Sequence, residues 1–319
     1  MKSSYKIFFI CLSIITFFSL THLSTLAFAS RSVVTDYRTQ FLLNQANKSS
    51  DWQKKFCQFK RGIKGIKKNT YDKLIPLLIN EALSAGHNTS PCILIALAKS
   101  TEDAFQKNPQ LIKLYTQKNI LALFQYFIHQ DNTRIETSYI VSYLGEAAIP
   151  FQQEIIKAFK KEDFHSQYYI SPLFNLQTPD ALEALYQGLR SEKPQIRLNS
   201  ANVLGKTTKQ KDKTVAILRS SIAYQQSKKN HQTLLAVIAA IGEFGPLAES
   251  AYTAIKNLYY SGLSKQVNDE ELSLISLSSL FKISPKNTHT QLALQQALES
   301  NKPKLQTLGK QLIQEKKVD

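Results

Sequence analysis

The chain has 319 residues, of which 43% are hydrophobic and 20% are charged, and this composition excludes wholesale disorder. The length suffices for one large domain or two ordinary ones. Forty Lys and Arg residues against 24 Asp and Glu residues give a formal net charge of +16. Such a balance favours acidic partners, such as an acidic protein face or an anionic membrane surface.

The N-terminal segment 1–29 has the layout of a secretory signal peptide. Lys2 and Lys6 form a short basic start, and residues 7–20 are almost entirely apolar. The small residues of Ala27-Phe28-Ala29 then provide a cleavage site, so we predict cleavage after Ala29. An uncleaved signal anchor is the alternative, because the apolar run approaches the length of a membrane span.

Export would place the mature chain, with a net charge of +14, in a bacterial periplasm or outside the cell. Sequons at Asn47 and Asn88 leave a eukaryotic secretory route open. In an oxidising compartment the two remaining cysteines, Cys57 and Cys92, are candidates for a disulfide. The alternative is a pair of buried apolar thiols.

Apolar residues at helical spacing run through the mature chain, whereas alternating strand patterns with tight hairpin turns are absent. The sequence therefore predicts an all-α fold. Residues 30–107 form a less regular N-terminal helical region, with helices predicted over 36–47 and 71–83. Three clear apolar faces in the remainder, residues 108–316, are Leu182, Leu185 and Leu189; Val215, Leu218 and Ile222; and Ala251, Ile255, Leu258 and Tyr259.

Within residues 108–316 a short pattern recurs, consisting of an apolar residue, Gly, a short gap, Pro and an amphipathic helix. When the copies are aligned on this glycine, including one weaker copy earlier in the chain, the aligned position falls at residues 98, 145, 205, 242, 281 and 309. The 60-residue gap before 205 is best explained by a diverged unit over 150–160 and 163–176. Helical pairs of about 30–47 residues are typical of stacked two-helix solenoids.

The units resemble HEAT repeats, particularly the short HEAT-like kind found in PBS lyases. The best match is SEKPQIRLNSANVLGK, where Pro194, Ile196, Arg197, Ala201 and Leu204-Gly205 stand in the family's order. LLAVIAAIGEFGPLAESAYTAI, residues 234–255, is the second strong match. The resemblance covers roughly residues 118–316. It implies an α-α superhelix with an extended binding surface, and it says little about activity.

The glycines and the proline of Ala239–Gly262 raise the alternative of a phosphate-binding loop. Recurrence of the pattern, with Phe281 in place of a glycine, favours a structural joint between helices. In a joint, small residues allow close packing, Gly245 ends one helix in the left-handed conformation and Pro246 starts the next. The residues assigned to such joints are Gly145, Pro150, Gly205, Gly242, Gly245, Pro246 and Pro285.

The segment Asp51–Lys68 combines an aromatic and aliphatic stripe with many basic residues. A basic amphipathic helix of this kind is typical of membrane surfaces or acidic partners. The alternative is an ordinary first helix of the solenoid, with its aromatic stripe in the core. The stripe is Trp52, Phe56, Phe59, Ile63 and Ile66, and the candidate anion-binding residues are Lys54, Lys55, Lys60, Arg61, Lys64, Lys67 and Lys68. Further lysine clusters at 206–213, 228–229 and 302–304 form either a basic ridge or scattered solubilising charge.

Signals for catalysis are weak. Five histidines are dispersed beyond the signal peptide, without HExxH, G-x-S-x-G or a Walker loop. We expect no catalytic residue, metal or cofactor, and interpret Glu162-Asp163 and Asp269–Glu271 as helix-start residues. No nucleic-acid-binding module is present. The sequence thus predicts an exported, non-catalytic protein-binding scaffold or adaptor. The alternatives are a peripheral membrane protein that uses residues 51–68 and a lyase-type enzyme whose site is not visible in the sequence.

Overall fold

The computed structural model describes residues 68–89, 91–264 and 266–316, which contain fifteen α-helices and no strand. The all-α prediction is therefore confirmed for this part of the chain. The helices are α1 (Lys68–Ala85), α2 (Pro91–Lys107), α3 (Ile112–Tyr115), α4 (Lys118–Phe127), α5 (Arg134–Ser142), α6 (Gln152–Phe159), α7 (Ile170–Leu176), α8 (Pro179–Gly188), α9 (Pro194–Leu204), α10 (Lys211–Ser227), α11 (His231–Gly242), α12 (Tyr252–Leu263), α13 (Glu270–Ile283), α14 (Thr288–Leu298) and α15 (Pro303–Lys316). Short 3₁₀ segments are Gly86–Asn88, Pro109–Leu111, Gly145–Phe151, Ser166–Tyr169 and Gly245–Ala251.

The chain divides into two compact units, Met1–Leu123 and Phe124–Asp319. In the described part of the first unit, α1 and α2 pack against each other. Asn108 Nδ2, just after α2, donates to Asp72 Oδ1 on α1 at 2.6 Å. Tyr115 on α3 is fully buried. Its hydroxyl accepts from Thr101 Oγ1 at 3.4 Å, which links α2 to α3.

The second unit consists of helical hairpins stacked in two rows. In one row α5, α7, α9, α11, α13 and α15 each pack against the next member. The other row contributes α6, α8, α10, α12 and α14, and each of these pairs with the helix that follows it in sequence. This arrangement is the stacked helical-pair architecture that the repeats predicted, because one hairpin cannot bury both of its apolar faces alone.

The apolar faces read from the sequence lie in the core of this unit. Leu182, Leu185 and Leu189 are fully buried, and the predicted faces of α10 and α12 are at most 6% exposed. Hydrogen bonds between successive hairpins also hold the packed helices in a defined relative position. Tyr186 OH and Thr214 Oγ1 lie 2.8 Å apart, as do Tyr252 OH and Thr290 Oγ1. The same Tyr–Thr contact therefore joins α8 to α10 and α12 to α14.

Two glycines allow successive helices of the first row to approach closely. A Cβ at residue 205 would lie 2.8 Å from Ala240 Cα, and one at residue 242 would lie 2.7 Å from Ser279 Oγ. Gly205 and Gly242 each stand twelve residues after the N-cap of their helix, Lys193 and Asn230 respectively. Their common place in the hairpin explains why the sequence repeats there.

Gly145 does not share that place, which corrects the sequence alignment at this unit. Its φ of +59° matches the +56° of Gly245, and each glycine opens a seven-residue 3₁₀ segment. Ala148 and Ala248, three residues further on, are both fully buried. Gly145 therefore corresponds to Gly245 rather than to Gly242. Both glycines are required by the left-handed backbone, which other L-residues adopt only with strain.

The prolines also differ from expectation in detail. Pro246 is the second residue of the 3₁₀ segment Gly245–Ala251 and does not start the next α-helix, which begins at Tyr252. Pro150 lies near the end of the corresponding segment. Pro285 lies in the turn between α13 and α14. The joints at Gly145 and Gly245 thus consist of a glycine in the left-handed conformation and a 3₁₀ segment, after which the α-helix begins.

Candidate binding cleft and aromatic cluster

The connection between α6 and α7, residues 160–169, is the longest link within any of the hairpins. Asp163 fixes its course, since its Oδ1 accepts from the backbone N–H groups of His165 at 2.8 Å and Ser166 at 3.1 Å. The neighbouring Glu162 has a positive φ of 49°, which turns the chain out of α6. The interpretation of Glu162-Asp163 as helix-start residues is wrong, because the N-cap of the following 3₁₀ segment is His165 and its first turn contains no acid.

This connection carries three aromatic side chains that we call the aromatic cluster: Phe164, His165 and Tyr168. Phe164 is 74% exposed and Tyr168 is 46% exposed. The Phe164 ring centroid lies 5.5 Å from that of His165 and 6.4 Å from that of Tyr168. The rings therefore support one another on the surface instead of entering the core.

A cleft of about 350 Å³ adjoins the aromatic cluster, and His165 belongs to both. The start of α5 supplies Arg134, and the end of the α6–α7 connection supplies Tyr169, which is 2% exposed. The polar residues that line this cleft are Asp131, Arg134, Lys161, Asp163, His165 and Tyr169. Two carboxylates thus face two permanent cations, so the cleft is nearly balanced in charge.

Two hydrogen-bond donors of the cleft residues have no acceptor among the described residues. Arg134 pairs through Nη2 with Asp131, but its Nε is buried without a partner. The hydroxyl of Tyr169 makes no hydrogen bond there either. Burial raises the pKa of Tyr169 to about 12, although the nearby Arg134 charge lowers it in part, so the phenol stays protonated at neutral pH. The cleft is therefore equipped to hold an acceptor group.

The histidines do not converge on this cleft. His129 Nδ1 lies 3.7 Å from Glu154 Oε2. His231, at the start of α11, lies 3.3 Å from Asp269 and 3.4 Å from Glu271 through its two ring nitrogens. Within the described ranges, no group of three or more His, Cys, Asp or Glu side chains has a geometry that would hold a metal ion.

The acids of Asp269–Glu271 serve the helix start that the sequence predicted. Asp269 is the N-cap of α13, where its Oδ1 accepts from Leu272 N at 2.9 Å. Glu270 and Glu271 follow in the first turn, near the positive end of the helix dipole.

The single basic ridge considered from sequence is not formed. Lysines 206–213 lie before and at the start of α10, whereas Lys228 and Lys229 follow its end. Seventeen residues of α-helix separate the two clusters by roughly 25 Å. Acidic neighbours also offset part of the charge, since Lys213 contacts Glu183 at 3.0 Å and Lys228 contacts Glu192 at 3.1 Å.

Most of the residues proposed to contact anionic surfaces lie outside the described part of the chain. This applies to Lys54, Lys55, Lys60, Arg61, Lys64 and Lys67, and to Cys57. Lys68 is the first residue of α1, and Cys92 lies in α2. Among the described helices, none combines the length and the apolarity that a membrane crossing requires.

Sequence reasoning did not select Arg134, Phe164 or Tyr169 as site residues. A usable signal was present, because the helical apolar period breaks between α6 and α7 while aromatic residues continue through the polar stretch KKEDFHSQYY. Exposed and buried aromatics cannot be separated by such a pattern. Only the folded chain shows that Phe164 lies outside and Tyr169 inside.

Comparison with protein-family models and with curated proteins gives no match to this sequence. The stacked-hairpin architecture is therefore supported by the helix packing alone.

Proposed function

We propose that the protein is an exported, HEAT-like, non-catalytic scaffold that binds a protein partner through the aromatic cluster. The observation that carries this proposal is the exposure of Phe164. At 74% it exceeds that of any other large apolar side chain in the described residues. Leaving an aromatic ring in water forgoes about 1.5–3 kcal/mol of burial free energy, which a partner surface would recover.

The setting of the cluster suits recognition. Aromatic and Arg side chains are enriched among the residues that dominate binding energy at protein interfaces. Here the aromatic residues lie on a connection between two packed helices that is held in place by hydrogen bonds to Asp163. A pre-ordered loop loses less conformational entropy on binding than a loose one.

The charge distribution supports an acidic partner. Residues 30–123 of the predicted mature chain contain 15 Lys and Arg against 6 Asp and Glu, whereas residues 124–319 contain 23 against 18. Long-range attraction from such an excess speeds the encounter with a negatively charged protein. Residues 51–68 contribute much of the excess, and for the same reason a peripheral contact with an anionic membrane is the second candidate.

Site-specific photo-cross-linking tests the proposal. A photoreactive phenylalanine analogue is placed at residue 164 of the full chain in its native cell. The matched control carries it at residue 292, since Leu292 on α14 is 46% exposed but lies outside the cluster. We expect a discrete protein adduct from position 164 and none from position 292. Recovery should fall with added salt, because the encounter is electrostatic.

Two results would contradict the scaffold function. Equal adducts from both positions would mean that position 164 is not a specific contact. Adducts with lipid alone would favour the membrane candidate. That candidate has its own test, in which replacement of Arg61, Lys64, Lys67 and Lys68 by Gln weakens binding to anionic vesicles.

A further inference from the structure

We propose that the cleft beside the aromatic cluster binds a carboxylate group of an acidic peptide segment. The cleft would then be the polar half of a docking surface whose apolar half is Phe164 and Tyr168. The inference rests on the proposed function, because it takes the occupant to be part of a protein partner.

The unpaired donors of the cleft are the first argument. Tyr169 is 2% exposed, lines the cleft and makes no hydrogen bond through its hydroxyl to the described residues. Arg134 lines the same cleft with a buried Nε that has no acceptor. Buried donors are almost always satisfied, since an unmade hydrogen bond costs the full desolvation of the group. Arg134 Nε is such a donor, and the Tyr169 hydroxyl, which has no partner among the described residues, lies in the same cleft, so the pair suits an acceptor from outside.

The charge of the cleft selects the kind of acceptor. Arg134 and Lys161 attract an anion, while Asp131 and Asp163 repel one. Among the salt bridges of the described residues, Lys161 has none, whereas Arg134 is already engaged with Asp131. Because the two cations and two carboxylates of the cleft balance, a bound carboxylate leaves one excess negative charge beside the unpaired Lys161. A doubly charged phosphate would leave two, so the cleft disfavours it more strongly.

The chemistry of the donors also fits a carboxylate. The phenol of Tyr169 is protonated across the physiological range, as an ordinary tyrosine is, so it donates to an anion and does not repel it. Hydrogen bonds from Tyr and Arg donors to a carboxylate are charge-assisted and therefore stronger than neutral ones.

The neighbouring rings indicate that the carboxylate belongs to a peptide. His165 lines the cleft and also contacts Phe164 and Tyr168. An acidic side chain that enters the cleft would therefore leave the adjoining residue of its own chain against exposed aromatic surface. Free small anions would make no use of Phe164.

The test compares two blocked dipeptides, N-acetyl-Glu-Phe-amide and N-acetyl-Gln-Phe-amide, whose acidic or amide side chain is the only difference. Binding to the purified full chain is measured by NMR titration of the peptide signals. We expect the Glu peptide to bind at least tenfold more tightly. A third peptide, N-acetyl-Gln-Phe with a free C-terminal carboxylate, shows whether a chain terminus serves as well as a side chain.

The matched variants remove one hydroxyl each. Tyr169→Phe should weaken binding of the Glu peptide about tenfold, the usual effect of losing a hydrogen bond to a charged group. Tyr260→Phe deletes a hydroxyl on α12, outside both the cleft and the aromatic cluster, so it should leave the affinity unchanged. Because Tyr169 has no hydrogen bond to lose within the described residues, its variant should keep the wild-type unfolding midpoint.

The inference is overturned if neither the Glu peptide nor the free-carboxylate peptide binds more tightly than the Gln amide, or if Tyr169→Phe binds the tighter one like wild type. It is also overturned if inorganic phosphate binds more tightly than either carboxylate peptide. These failures remain distinct from failure of the proposed function. If only the carboxylate site is wrong, the protein adduct from position 164 persists in the Tyr169→Phe background.

Discussion

Replacement of Gly205 by Ala should destabilise the second unit, because the new methyl group has no room. The added Cβ would lie 2.8 Å from Ala240 Cα and 2.9 Å from Ala240 Cβ. Carbon atoms in favourable contact stay about 3.5 Å apart, so α9 and α11 would have to separate by roughly 0.7 Å. The obstacle is backbone, which cannot rotate away as a side chain can.

The magnitude follows from two opposing effects. Overpacking of a filled contact costs about 1–3 kcal/mol. Alanine gains up to about 1 kcal/mol over glycine in a helix interior, but Gly205 is the C-cap of α9, where that gain is only partial. We therefore expect a net loss of about 1–2 kcal/mol in the free energy of unfolding. Urea titration should show it as a lower midpoint.

Gly309→Ala is the matched control. Gly309 lies inside α15, and its nearest neighbour, Leu298 Cδ2, is 3.2 Å from the position of the added Cβ. The end of a leucine side chain can move, so the helix propensity of alanine should dominate and stability should hold or rise. If Gly205→Ala kept the wild-type midpoint, or if both variants shifted it equally, the close contact between α9 and α11 would not limit stability.

Three further outcomes are expected. Gly145→Ala and Gly245→Ala should each lower the free energy of unfolding by about 1–2 kcal/mol, because both glycines have positive φ. The corresponding Asn variants should lose less, since asparagine tolerates this conformation better. Equal losses for Ala and Asn in urea titrations would argue against backbone strain. Arg197 is 4% exposed, and its Nη1 donates to Ser191 O at 2.6 Å. Arg197→Ala should therefore lower the free energy of unfolding by about 2–4 kcal/mol, whereas Arg197→Met, which keeps the side-chain volume, should lower it less. A higher thermal midpoint for the Ala variant than for the Met variant would refute this. Burial raises the pKa of Tyr169 to about 12, above the unfolded value of 10.0, so its contribution to stability is complete below pH 10 and is lost as pH rises towards 12; tyrosinate absorbance that titrates entirely near 10 in the folded protein would exclude it.

The sequence alone predicted the fold class and much of the core. Apolar residues at helical spacing place one face of each helix inward whatever its neighbours are, and for this reason the predicted faces of α8, α10 and α12 are buried. Recurring small residues likewise predicted close helix contacts, which the structure shows at Gly205 and Gly242. Periodicity of this kind is local, so it can be read without knowing the tertiary structure.

The tertiary structure was needed to decide which positions correspond between repeats and which side chains are exposed. Gly145 and Gly242 look alike in sequence because a glycine serves both a left-handed turn and a close helix contact, and only φ and the neighbouring atoms tell them apart. The cleft was equally hidden. Arg134 and Tyr169 are 35 residues apart in sequence, and nothing in either local pattern states that α5 and the α6–α7 connection meet. A binding site made from separate hairpins is decided by how the hairpins pack, which local sequence pattern does not encode.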